Sequence, residues 1–195
     1  MNTLWYGLIG FGAIILYDLN NVNQNNDRLE SLYSVGAGLI GLAIFMQLFM
    51  NEEAVGSSLP LWIRILTGTL AGIAFVLLAY SSLYAGKRNR WGHRSGEKSS
   101  RWWERELADT GLYALCRHPS VWLLMLMCFL LVPAAGFPYV GATIYSVAGL
   151  LLAYYEDRNV FPEVVKGYSQ YRKTTPFLLP TRESFRRCAE TWKKK

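Results

Sequence analysis

Residues 117–120 read Arg-His-Pro-Ser, and residues 156–157 read Glu-Asp. Proline suits the first position of a helix, where its missing N–H costs nothing. A helix beginning at Pro119 would offer free N–H groups and the positive end of its dipole to an anion, with Arg117 and His118 as added cationic donors. From Pro119 to Tyr155 the chain carries no charge, and then both acids arrive together. That stretch exceeds the roughly 20 residues of one membrane crossing, and Pro133, Gly136 and Pro138 break it in the middle. Two short helices joined by a tight turn, a helical hairpin over 119–155, fit it. A hairpin returns the end of its second helix to the start of its first, so Arg117 and His118 should meet Glu156 and Asp157. Two outcomes are open to such a cluster. One is an Arg–Glu pair that seals the hairpin. The other is a zwitterion site, with cations for a carboxylate and an acid for an ammonium.

The elements that must hold this cluster read as membrane helices. The 195 residues suffice for one domain or two small ones; 52% are hydrophobic, yet 20 are Lys or Arg and the net charge is +6. Those properties coexist because they are segregated. Basic residues flank uncharged stretches, the pattern of anchoring in anionic headgroups and not of nucleic-acid binding. Uncharged or nearly uncharged stretches at 1–17, 31–50 and 65–86 precede the hairpin. The first lacks a basic n-region and a cleavage site, so it reads as a retained span and not a signal peptide. The expected architecture is all-α and integral to the membrane, with about five spans. A three-helix membrane bundle over 1–86 is followed by a cofactor-binding region over 87–195 that contains the hairpin and a cytosolic tail. With the N-terminus outside, the inner segments 18–30, 86–118 and 156–195 hold every Lys and Arg except Arg64, which can snorkel at the start of its span. The outer loops 51–60 and 136–138 hold none, and the first carries Glu52 and Glu53. This asymmetry puts the C-terminus in the cytosol of a multi-pass protein, in a bacterium one of the cell inner membrane.

Two inner segments are polar without being specific. Lys87–Arg105 interleaves basic residues with Trp91, Trp102 and Trp103; directly after a span it reads as a strip on the inner leaflet. From Thr181, Phe185, Cys188 and Trp192 share one helical face, the pattern of an interfacial amphipathic helix. Gly36-Ala37-Gly38-Leu39-Ile40-Gly41 matches a dinucleotide fingerprint literally, but no strand precedes it within its uncharged span. Small residues for close helix packing explain it better, as they do Gly68-Thr69-Leu70-Ala71-Gly72. Cys116, Cys128 and Cys188 have neither disulfide nor zinc spacing, and His93 and His118 are the only histidines, so no metal site is expected.

The methionine end of S-adenosylmethionine carries the two charges that a zwitterion site would hold. Leu107-Ala108-Asp109-Thr110-Gly111-Leu112-Tyr113, then Arg117-His118-Pro119-Ser120, resembles the L-x-x-x-G-x-Y-x-x-x-R-H-P-x signature of the isoprenylcysteine carboxyl methyltransferase and phospholipid methyltransferase superfamily. Glu156-Asp157, then Tyr168 and Tyr171, then Pro176 are similar to that family's E-E … Y-x-x-Y … P segment. The resemblance covers about residues 104–180. It implies a membrane-embedded methyltransferase that uses S-adenosylmethionine at the cytosolic end of the hairpin and takes a lipophilic small-molecule acceptor from among the membrane lipids. Carried over, Leu107, Tyr113, His118, Pro119 and Ser120 would line the cofactor pocket and Glu156 would hold the cofactor's polar end. Arg117 would support that cluster, and Tyr168 and Tyr171 would close it from the tail.

This chain departs from the family pattern at three places. Val121 stands where the family usually has Tyr, and Asp157 replaces the second Glu. Leu152, one turn before Glu156, stands where the carboxyl methyltransferases place an arginine for the substrate carboxylate. The phospholipid N-methyltransferases lack that arginine, so a phospholipid or amine acceptor is favoured over an isoprenylcysteine carboxyl. Methyl transfer from a sulfonium needs alignment more than acid–base machinery, and alignment can supply ~7–11 kcal/mol. Arg117 and Asp157 are the candidate catalytic residues, Asp157 or a water taking the proton of an amine. Two other readings are a membrane reductase using NADPH and an inactive membrane scaffold. Sterol reductases have a similar C-terminal region but follow their R-H-P with Asn-Tyr, where this chain has Ser120-Val121.

Overall fold

The computed structural model describes residues 3–23, 27–50, 59–91 and 107–193, without the side chains of 27, 50, 85–91 and 192–193. The architecture among them is all-α. Its helices are α1 (Thr3–Asn23), α2 (Leu32–Met50), α3 (Leu61–Trp91), α4 (Leu112–Leu115), α5 (Pro119–Ala135), α6 (Tyr139–Tyr155), α7 (Phe161–Val164), α8 (Tyr168–Thr174) and α9 (Arg182–Lys193). A 3-10 turn covers Asp27–Leu29, and a π-helical turn covers Glu156–Val160. Most of the expected outer loop 51–60, most of the Lys87–Arg105 strip and the Trp192 side chain lie outside what is described.

Two stretches, Leu32–Phe49 of α2 and Leu61–Tyr84 of α3, are long and apolar enough to cross a membrane; α5 is also apolar but shorter. Large side chains such as Trp5, Phe49, Leu61, Phe75, Val140 and Leu151 face outward. Small residues are turned inward, among them Ala43, Ala71, Ala74, Ala142 and Ala153. Exposed apolar surface on that scale marks an interaction with something apolar, and small residues at helix seams are how membrane helices approach closely.

The long helices pack in the order α2, α1, α6, α5, α3, so packing crosses residue 86 twice: α1 lies on α6 and α3 on α5. At the α1–α2 seam the backbones nearly touch. A Cβ on Gly10 would stand 2.6 Å from the Gly36 carbonyl oxygen, and one on Gly36 would stand 2.5 Å from that of Gly10. The packing reading of the glycine-rich run therefore holds at Gly36, while Gly38, Gly41 and Gly72 face open space. Phe11, Ile14, Ile40, Ile44, Met127, Val132 and Phe137 form the core around the fully buried Tyr145, whose hydroxyl accepts a hydrogen bond from Gln47 Nε2 at 2.5 Å.

The hairpin turns at 136–138, and Pro133, expected to help break it, lies inside α5. One missing N–H near the end of a helix is tolerated, whereas Gly136 at φ 72° takes the left-handed conformation that stops it. The Gly136 N–H then bonds the Val132 carbonyl at 3.0 Å and the Phe137 N–H bonds that of Leu131 at 3.2 Å. Arg64 Nε reaches the Ala134 carbonyl at 3.4 Å, tying α3 to this turn. The tail forms the helix read from its sequence. Its start is fixed by Thr181 and Ser184, whose hydroxyls accept from each other's backbone N–H at 3.2 and 2.8 Å.

Candidate functional site

The two polar segments meet at the far end of the hairpin from its turn. Gly111 has φ 62° and ψ −129°, a conformation only glycine takes without strain, and its N–H donates to Thr191 Oγ1 of α9 at 3.2 Å. The chain then runs through α4 to Arg117 and His118, whose backbone N–H groups bond the carbonyls of Pro176 and Phe177 at 3.0 and 3.3 Å. Those two bonds clamp the tail across the start of α5, where Pro119 is the first helical residue. On the other arm, α6 opens into the π turn, with the Phe161 N–H bonded to the Glu156 carbonyl. A π turn widens the helix locally and re-aims the side chains beyond it, which is why such turns recur at functional sites.

Asp157 is the hub. Its Oδ1 lies 3.3 Å from Arg117 Nε and 3.6 Å from His118 Nε2, and accepts the Tyr168 hydroxyl at 2.6 Å. Its Oδ2 lies 3.4 Å from Arg172 Nε. Burial works to raise the Asp157 carboxyl, but His118, Tyr168 and Arg117 outweigh it and hold it below the usual carboxylate range. Burial is the main reason His118 is pushed below its ordinary value, only partly offset by Asp157, so its imidazole is neutral. The ring is held between Phe161, stacked at 5.7 Å, and Phe177, edge-on at 5.0 Å. The Arg117 guanidinium lies over Phe177 at 5.6 Å.

Glu156, one residue earlier, has different company. His118 Nδ1 is 3.8 Å away, and the π turn packs on α1, the helix that carries Asp18. Burial first, then the Asp18 charge, push Glu156 well above the usual carboxylate range. Asp18 is itself buried. Hydropathy puts it at the start of an inner loop over 18–30, but α1 continues to Asn23 and carries Asp18, Asn20 and Asn21 inside. The signal was present: Gly7, Phe11, Ile14, Asp18 and Asn21 follow helical spacing, so Asp18 continues the buried stripe.

The structure thus gathers Arg117, His118, Asp157 and Tyr168 around one centre. Glu156 sits beside it, facing α1. Tyr171 closes the tail differently, donating to the Tyr113 carbonyl at 2.6 Å, and Tyr113 in turn donates to the Ser81 carbonyl of α3 at 3.2 Å. Pro119 is buried at the helix start; Leu107 and Ser120 are half-buried, with no ion pair or side-chain hydrogen bond among the described residues. Arg172, Phe161 and Phe177 join the cluster although no sequence motif marks them. The chain matches no family model, no curated protein and no solved structure, so residue geometry carries the functional argument.

Proposed function

We propose that the chain is an integral-membrane methyltransferase of about five spans, N-terminus outside and C-terminus cytosolic, using S-adenosylmethionine to methylate a lipophilic acceptor. The observation that carries this reading is the convergence of segments 111–120 and 156–177 on His118, with buried nitrogens short of good hydrogen bonds. His118 Nε2 and Arg117 Nε face the same oxygen, Asp157 Oδ1, at 3.6 and 3.3 Å, and neither makes a well-aligned hydrogen bond to it. Buried polar atoms left short of a good hydrogen bond cost about 1–3 kcal/mol each unless a ligand or water completes them. A nucleoside bearing an amino-acid end fits this set: cationic groups on Arg117 and Arg172, an acid on Glu156, and flat rings on Phe161, Phe177 and Tyr168. When bound, the cofactor supplies an electrophilic methyl group. The protein's own part is to exclude water and hold the acceptor in line, which is where alignment lowers the barrier.

Leu152 supports a neutral or amine acceptor over a carboxylate. It is buried among apolar side chains of the core, and a carboxylate brought there would carry an uncompensated desolvation cost of several kcal/mol. Detergent-solubilised protein should be stabilised by S-adenosylhomocysteine and not by NADPH. With methyl-labelled cofactor, label should enter an organic-extractable lipid, and a farnesylcysteine analogue should be a poor acceptor. Efficient ester formation on that analogue would restore the carboxyl reading. Stabilisation by NADPH alone would favour the reductase, and by neither the scaffold. Orientation is checked by single cysteines at Tyr139 and Ser169 in a cysteine-free background. They should label from opposite sides of sealed vesicles.

A further inference from the structure

The proposed reaction makes no use of the amphipathic helix α9, whose place is set by its neighbours. The backbone bonds from Arg117 and His118 to Pro176 and Phe177 hold the tail beside the start of α5. In the membrane reading, that is where α5 leaves the headgroup layer. α9 begins shortly after, at Arg182, and packs on α4. At the same end of the hairpin the Arg158 guanidinium lies 5.3 Å from the ring centre of the outward-facing Tyr154, an aromatic–basic pair suited to a membrane surface. The fold divides the stripe that the sequence puts on one face of α9. Ser184 is fully buried, and Arg187, Cys188 and Thr191 are half-buried on its side, toward α4. Thr191 Oγ1 accepts the Gly111 N–H at 3.2 Å, and Arg187 donates to the Thr174 carbonyl. The opposite side is ordered by chemistry. Going round the helix, Phe185 and Ala189 come first, then Arg182 and Arg186, then Glu183 and Glu190, all of them exposed. Phe185 is 59% exposed, and Leu179, just before the helix, 72%. Apolar, cationic and acidic sectors in that order match acyl chains, phosphates and water across an interface. Arg186 meets Glu190 only loosely, at 3.8 Å. A pair so exposed is worth little, which leaves the guanidinium available to phosphates.

We infer that this outer side of α9 docks on anionic phospholipid of the cytosolic leaflet, and that docking braces α4 through the Thr191–Gly111 bond. Charge complementarity and position carry the first half. Residues 182–195 set Arg182, Arg186, Arg187 and three lysines against Glu183 and Glu190 alone, and basic residues at that depth are drawn to anionic headgroups. The second half follows from what the inner side of α9 holds. Gly111 opens α4 in a conformation only glycine takes without strain, and α4 leads directly to Arg117 and His118. A helix seated on the leaflet keeps that approach in place. The inference stands on the membrane reading and is independent of the reaction.

The test uses the full-length chain in a cysteine-free background, in nanodiscs of phosphatidylcholine alone or mixed equally with phosphatidylglycerol. A spin label at Ala189→Cys should be shielded from a water-soluble nickel relaxant and reached by oxygen, while one at Glu183→Cys stays open to the nickel. The shielding should be stronger in the anionic discs and fade at high salt. Arg182→Gln combined with Arg186→Gln should lower the ratio of docked to free helix about tenfold or more. Amide exchange across Gly111–Cys116 should be slower in the anionic discs. Thr191→Val should abolish that difference and leave the Ala189 label seated. Labels at the two positions equally open to nickel, or shielding at Ala189 that ignores both lipid charge and the arginine substitutions, overturns the docking. Dipolar broadening between labels at Ala189 overturns it too, by putting a second copy of the chain on this face. Exchange at Gly111 that is equal in the two discs, or that stays lipid-dependent in Thr191→Val, overturns the bracing.

Discussion

The two sides of the π turn place neighbouring acids in opposite circumstances. Asp157 faces the tail, where Arg117, Arg172 and the Tyr168 hydroxyl satisfy its oxygens. Glu156 lies where the π turn packs on α1, with the Asp18 charge acting on it. Burial raises both, yet only on the tail side do cations and a hydroxyl reverse its effect. One side is an ion cluster that joins hairpin to tail. The other sets two acids near each other with burial opposing their charge. Adjacent residues of similar chemistry thus reach opposite electrostatic states by what the tertiary fold sets opposite each.

The largest expected effect separates those roles. Asp157→Ala leaves the Arg117 guanidinium buried and unpaired, which should cost about 3–5 kcal/mol in unfolding of the detergent-solubilised protein. Glu156→Gln should cost nothing, and similar losses for both would erase the distinction. Tyr168→Phe removes a hydrogen bond to an ionised carboxylate and should cost about 1.5–3 kcal/mol. An unchanged midpoint there would mean the guanidiniums hold Asp157 unaided.

The pH dependence should run in opposite directions on the two sides. Asp157 is depressed on folding, so its stabilisation is complete above its unfolded value near ~3.9 and is lost as pH falls through the lower folded value. His118, lowered as an imidazole, acts with the same sign from its unfolded value near ~6.5 downward. Glu156 is raised, so its contribution is complete below ~4.3 and is lost as pH rises through the folded value. Glu156→Gln should therefore match the wild type near pH 4 and be the more stable of the two at pH 8. For a chain of this size each ~1 kcal/mol of such a gain reads as ~2–4 °C in Tm. A variant that is less stable than the wild type at pH 8 would mean that Glu156 is ionised and well paired.

Much of the cluster is legible in the chain. An uncharged run too long for one crossing, interrupted near its middle, implies a hairpin, and a hairpin forces its two ends together. That alone places Arg117, His118, Glu156 and Asp157. The packing seam at Gly36 is legible because small side chains in an apolar run have few other uses. Asp18 is legible only as the next step of the Gly7, Phe11, Ile14 stripe, because loss of hydropathy sets the apparent end of α1 before it, while the helix itself continues to Asn23. Arg172, Phe161 and Phe177 carry no signal, since basic and aromatic residues are common in an interfacial tail.

An all-α chain with long apolar helices, and one end of the hairpin crowded with charge, is already written in the residue order, because hydropathy and charge segregation act locally along the chain. The pairing of Arg117 with Asp157 and the placing of Glu156 within reach of the Asp18 charge are not; they arise in the folded arrangement. Those choices depend on the π turn, which inserts a residue into the helical register, and on the Gly10–Gly36 contact, which sets how α1 and α2 pack. Both are matters of distance between segments remote in sequence, and ionisable groups respond to distance and burial, which no single segment encodes.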